Sequence, residues 1–185
     1  RGLGDVYKRQ DIAGINHQTW VMKTVREQVE RHYRVGSTRE SRFVAGWSTG
    51  GYCAANLTSK SPLDFNAGFA LAGYYHPTFE GSALSKATPQ LIADNSPLAR
   101  VKAGNVDSRV RFLSVMSKRD RSTWGDVDNP LMLNGQVWSD GQDFWNHAHA
   151  LKQYEFIVLD QGGHGTGTYV PYLGQCLRWL GQFGL

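Results

Sequence analysis

The chain has 185 residues, 41% hydrophobic and 19% charged, with a formal net charge of +4 and two cysteines. That composition suits a globular domain with a sizeable core and excludes a disordered chain; two cysteines exclude a disulfide framework, and no apolar run reaches membrane-spanning length. Arg1, Lys8 and Arg9 against Asp5 carry two of the four net charges, and no basic run remains beyond them to suggest nucleic acid or an anionic membrane as partner.

The opening "RGLGDVYKRQ" is unlike the rest of the chain. Asp5-Val6-Tyr7-Lys8-Arg9-Gln10 resembles a conceptual translation of the transposase adapter used in sequencing libraries, joined to a metagenomic reading frame. Residues 1–10 are therefore set aside, as an expression scar would be. Residues 11–185 are expected to be a partial catalytic domain whose own start lies upstream of Asp11.

From residue 20 to 33, Val21, Val25, Val29 and His32 or Tyr33 recur at helical spacing between charged residues, which predicts an amphipathic helix. "RFVAGW" (42–47) is short and apolar and predicts a buried strand, followed by a helix over 50–57. "AGFALA" (67–72) predicts a second strand. Thr88-Pro89 and Ser96-Pro97 each place a capping residue before a proline suited to a first helical turn. "VRFLSVM" (110–116) predicts a third strand, residues 141–152 a helix, and "YEFIVL" (154–159) a fourth strand. A last helix over 169–180 aligns Val170, Leu173, Leu177 and Leu180 on one face. Strands alternating with helices predict an α/β domain, mainly parallel sheet flanked by helices. Residues 121–138, rich in Asp, Asn, Gly and Trp, form the one long irregular insertion. Cys53 and Cys176 sit in helical patterns and read as buried thiols.

Gly46-Trp47-Ser48-Thr49-Gly50 fits G-x-S-x-G between a strand and a helix, the setting in which a sharp turn lifts a serine hydroxyl clear of a sheet. Glycines at 46 and 50 leave room for that turn, and Gly51 for close helix–sheet packing. The helix would aim its first amides, Thr49 N–H foremost, at a developing oxyanion. A serine hydroxyl needs a base. His164, in the glycine-rich loop "LDQGGHGTG" after the fourth strand, is the candidate, because parallel strands put such loops on the same carboxyl edge as Ser48. The orienting acid should follow an intervening strand, and Asp120 in "SVMSKRDRS" does so, giving the order Ser, Asp, His found in α/β-hydrolases. Asp126 and Asp128 lie deeper in the insertion, Asp140 and Asp143 look like helix-start residues, and Asp160 ends the fourth strand. His147 and His149, two apart on a helix, face different ways and make no metal site; His17, His32 and His76 carry no motif. Trp47, Tyr74, Tyr75, Trp124 and Trp138 could line an acyl or aryl pocket, with core packing the bland reading for most. No metal and no cofactor is implied.

These features together, namely the helix "WVMKTVREQVERHYRV", the elbow "RFVAGWSTGGYCAANL", "FALAGYY", "SKRD" and "LDQGGHG", resemble the esterase branch of the α/β-hydrolases. That branch holds esterase D-like enzymes, feruloyl esterases, bacterial mycolyltransferases and actinobacterial relatives. The resemblance runs from Trp20 to the end. It implies the C-terminal part of an α/β-hydrolase fold and a serine carboxylic-ester hydrolase working on a small-molecule ester or acyl substrate through Ser48, Asp120 and His164, with an acyl-enzyme intermediate. An acyltransferase passing the acyl group to a sugar or other alcohol is the alternative; a non-catalytic binding protein on the same scaffold, or an inert fragment, is the alternative of another class. The resemblance leans toward an extracellular or envelope setting. It also implies strands before the helix at residue 20, where this chain has the adapter-like segment, and with them the second oxyanion donor.

Overall fold

The computed structural model describes residues 11–12, 15–77, 88–124 and 135–184; the reading of residues 1–10 lies outside them. Four strands, β1 (Phe43–Trp47), β2 (Ala67–Leu71), β3 (Phe112–Ser117) and β4 (Tyr154–Leu159), form one sheet. Every neighbouring pair is parallel and the spatial order is that of the sequence. Phe43 pairs with Ala67, Gly68 with Phe112, and Phe112 with Tyr154. Each strand lies within two residues of its predicted position. β2 and β3 are buried at every residue, whereas β1 is only half-buried and exposes Ala45 and Trp47. That is the burial expected of central and edge strands.

The helices are α1 (Arg26–His32), α2 (Thr49–Lys60), α3 (Pro89–Asp94), α4 (Pro97–Lys102), α5 (Val137–Ala148), α6 (Thr166–Tyr169) and α7 (Leu173–Gly181). Alternation along the strands splits the core in two. On one face Ala70 and Phe112 pack with Ala54 and Ala55 of α2, Leu98 and Val101 of α4, and Phe144 and Ala148 of α5. On the other, Phe69, Leu113 and Val115 pack with Cys176, Trp179 and Leu180 of α7. At α3 and α4 the Thr88 and Ser96 hydroxyls accept the Leu91 and Ala99 amides at 3.1 and 3.0 Å, the capping their sequences predict.

Three helical expectations need correction. The helix placed at 141–152 starts one turn earlier: Val137 N–H donates to Ser122 O at the mouth of a two-residue ladder between Thr123–Trp124 and Gly135–Gln136. Gly141 is thus interior to α5, where a Cβ would meet Met116 Sδ at 3.0 Å, so its glycine serves packing and not an end. The last helix is broken by a 3-10 turn at Val170–Tyr172, around Pro171, which rotates the expected face away. Val170, Leu173 and Leu177 are exposed, and the buried set is Tyr169, Cys176, Trp179 and Leu180. The stripe of Val21, Val25 and Val29 is not buried either. Trp20–Val25 winds as a π-helix, whose i to i+5 repeat spoils a 3.6-residue stripe, and the valines line an open groove of about 340 Å³ with Phe43, Val44, Leu57 and Phe65. Ion pairs Arg26–Asp64 and Arg42–Glu30, at 2.9 and 2.7 Å, hold this segment beside β1.

Both cysteines are free. Cys176 is buried, which pushes its thiol up to about 11; Cys53 is half-buried, less than its pattern suggests.

Candidate active site

Parallel strands in this order bring the loops after β1, β3 and β4 to one edge, and the three candidate residues lie on those loops. Ser48 follows β1 directly with φ 57° and ψ −120°, and Ala72 is the other positive-φ non-glycine among the described residues. A serine in that conformation costs on the order of 1–3 kcal/mol and persists only where its surroundings fix it. Here they do. Ser48 N–H donates to Leu71 O at 2.8 Å, and Ser48 O accepts Tyr52 N–H, the first bond of α2. A Cβ on Gly46 would stand 2.2 Å from the Gly50 carbonyl, so the turn closes only over a glycine at 46. At Gly50 a Cβ would meet nothing within 4 Å, so the two motif glycines are not equivalent. Gly51 packs as expected, its missing Cβ filled by Gly73 Cα at 2.9 Å. No side chain caps α2, whose first residue is Thr49, so its opening amides keep their donor capacity.

Asp120 follows β3 by a tight turn in which its N–H donates to Ser117 O. Ser117 Oγ in turn donates to Gln161 O and Gly162 O, tying the acid's turn to the loop that carries His164. The result is a continuous hydrogen-bonded chain. Ser48 Oγ lies 2.8 Å from His164 Nε2, and His164 Nδ1 lies 2.8 Å from Asp120 Oδ2. Asp120 Oδ1 accepts Ser122 N–H at 3.1 Å, and Tyr169 O–H donates to Oδ2 at 3.2 Å. Burial opposes the Asp120 carboxylate, but the bonds from His164 and Ser122 outweigh it and hold the carboxyl below its ordinary value. Tyr169 moves the other way: burial, then the Asp120 charge, keep its phenol protonated well above the usual tyrosine range. With Asp120 ionised, Nδ1–H donates to the carboxylate and Nε2 accepts from the serine hydroxyl. That tautomer can take a proton from Ser48.

The other sequence candidates separate. Trp47 is 39% exposed and lies against His164, ring centroids 5.1 Å apart and planes at 38°. Tyr74 is a core residue stacked on Tyr52 at 5.3 Å, not a wall of the site. Tyr75 is also buried, stacked on Phe144. Trp138 is half-buried, and the Trp124 side chain, Asp126 and Asp128 lie outside the described residues. Asp160 is exposed and paired with Lys118 at 2.6 Å. Asp140, in the first turn of α5, is more than a helix-start residue: it is buried, accepts Tyr75 N–H and pairs with His76, which sequence reading left without a role. His147 and His149 bond back to backbone carbonyls of their own helix, and among the described residues no group of three or more His, Cys, Asp or Glu could hold a metal. Tyr169, Ser117 and Ser122 went unread in the sequence because nothing in their spacing marks them; only the fold brings them to Asp120 and its loop.

No family model matches the chain, and no curated protein matches it. Solved structures do. A ferulic acid esterase is 20% identical with a TM-score of 0.70, covering 94% of this chain and 63% of its own. S-formylglutathione hydrolase from Agrobacterium tumefaciens is 16% identical with a TM-score of 0.68, covering 91% and 57%. FphF, a fluorophosphonate-binding serine hydrolase of Staphylococcus aureus, is 14% identical with a TM-score of 0.71, covering 95% and 68%. The chain thus spans less than two thirds of the length of the first two. At these identities the likeness is one of fold, and the fold is that of the α/β-hydrolases.

Proposed function

We propose that this chain carries the catalytic groups of a serine carboxylic-ester hydrolase acting on a small-molecule ester. The observation that supports the reading is the unbroken chain Ser48–His164–Asp120 starting at a strained turn before a helix. Ser48 Oγ attacks the ester carbonyl while His164 Nε2 takes its proton. Asp120 keeps Nδ1 protonated and stabilises the imidazolium. Thr49 N–H donates to the oxyanion of the tetrahedral intermediate. The imidazolium then protonates the leaving alcohol, and a water deprotonated by His164 releases the acid from the acyl-enzyme. The fold shared with ferulic acid esterase and S-formylglutathione hydrolase agrees with this class of substrate.

The test is covalent labelling. A fluorophosphonate probe should mark Ser48, and Ser48→Ala should lose both the label and hydrolysis of a short-chain nitrophenyl ester, with circular dichroism unchanged. A Ser48→Ala protein that keeps hydrolysis within tenfold of the parent would sink the assignment.

A further inference from the structure

Trp47 is a large aromatic side chain left 39% exposed at the end of an edge strand, yet its ring is engaged with His164. Its backbone is constrained on both sides: Trp47 pairs with Leu71 in the sheet, Gly46 precedes it under the Gly50 carbonyl, and Ser48 follows at φ 57°. His164 rides on a different kind of segment. Its neighbours Gly163 and Gly165 have no atom within 4 Å of where a Cβ would stand, so the backbone on either side of His164 is loosely packed. The imidazole is held by hydrogen bonds at its two nitrogens, to Ser48 and to Asp120. Those two bonds fix the axis between the nitrogens but only weakly resist a roll of the ring about it. A rigid aromatic surface against the imidazole supplies the missing restraint. At 5.1 Å it also lies within the roughly 6 Å over which an aromatic face attracts a cation.

We infer that Trp47 is a positioning residue: its indole holds the His164 imidazole in register between Ser48 and Asp120 while the ring takes the serine proton. This rests on the reading of Ser48 and His164 as nucleophile and base. Among the described residues, the titratable and hydroxyl groups bonded to His164 or to its carboxylate partner are Asp120 after β3, Ser48 before α2 and, through Asp120, the Tyr169 hydroxyl of α6. On the neighbouring turns Lys118 and Asp160 pair with each other, and Arg119 and Arg121 are exposed.

The experiment compares the parent, Trp47→Phe and Trp47→Leu by the rate of fluorophosphonate labelling and by kcat and KM on a short-chain nitrophenyl ester. Trp47→Leu should slow labelling and lower kcat roughly two- to fivefold with KM unchanged. Trp47→Phe, which keeps an aromatic face, should lie nearer the parent in both. Equal labelling rates and kcat for parent and Trp47→Leu would overturn the inference, as would a loss carried by KM alone or Trp47→Phe behaving like Trp47→Leu. Should Trp47→Leu fail to fold, Trp47→Phe decides: a small drop in kcat at unchanged KM supports the inference and none overturns it. His164→Ala separates the two levels of the argument. If it labels at the parent's rate, the nucleophile–base reading has failed; if it abolishes labelling while Trp47 substitutions change nothing, only the role of Trp47 has.

Discussion

At the scale of single residues, Asp120 is where electrostatics and the proposed chemistry meet. Burial works against its charge, yet its carboxyl is held below the ordinary value because His164 and Ser122 donate to it. Asp120→Asn keeps the shape but reverses what Nδ1 meets, so turnover should drop by on the order of 10⁴, as such swaps do elsewhere, while Asp126→Asn should do far less. Steady-state kinetics on the two variants checks this, and a crippling Asp126→Asn beside a mild Asp120→Asn would move the acid to Asp126. The same pair of proteins carries a pH signature. A carboxyl depressed on folding stabilises the native state fully above its unfolded value, near 3.8, and that contribution is lost as pH falls through the lower folded value. Melting temperature should therefore fall less steeply below about pH 4 in Asp120→Asn than in the parent. Ser48, Asp120 and His164 were legible as candidates because each stands just past a strand and chain order did the rest. Tyr169, Ser117, Trp47 against His164 and the Asp140–His76 pair were not, since these contacts exist only once the sheet has brought distant loops to one edge.

At the scale of elements, the motif G-x-S-x-G hides an asymmetry that only packing shows. The two glycines look alike in the sequence, but Gly46 faces the Gly50 carbonyl at 2.2 Å from a hypothetical Cβ, and Gly50 faces open space within α2. Gly46→Ala forces backbone to move at the end of β1 and should destabilise the fold by about 1–3 kcal/mol, misplacing Ser48 as it does so. Gly50→Ala replaces a glycine in the first turn of α2 and should be neutral or stabilising by up to about 1 kcal/mol. Urea unfolding of the two variants gives the comparison, and equal losses would mean that the turn is set by something other than this one contact. The strands were the most readable elements, because β2, β3 and β4 are short apolar runs whose burial needs no periodicity to recognise. The helices were less so. Gly141 read as a boundary when it is a packing position, and the 3-10 turn at Val170–Tyr172 turned a clean apolar stripe toward solvent. Pattern reports that a helix has an apolar face; it does not report which way a break has rotated it.

At the scale of the whole molecule, the sheet has a well-covered centre and an open side. Among the described residues β1 is hydrogen-bonded only to β2, its partly exposed residues sit beside the groove formed with Val21, Val25 and Val29, and Ala45 is exposed. An apolar strand edge with no inward charge and no proline is a template for another strand. The Arg42–Glu30 pair at its start ties β1 to α1, and among the described residues no strand pairs with the other edge of Phe43–Trp47. This is also the strand that ends at Ser48, so whatever pairs with β1 acts on the proposed nucleophile. We expect this chain to self-associate through β1 as its concentration rises. Sedimentation over a range of concentrations tests this: the parent should grow in mass as concentration rises, and Ala45→Lys, which places a charge on the exposed edge, should hold it at a single chain. If the parent chain is monomeric at every concentration, β1 is not a template for self-association.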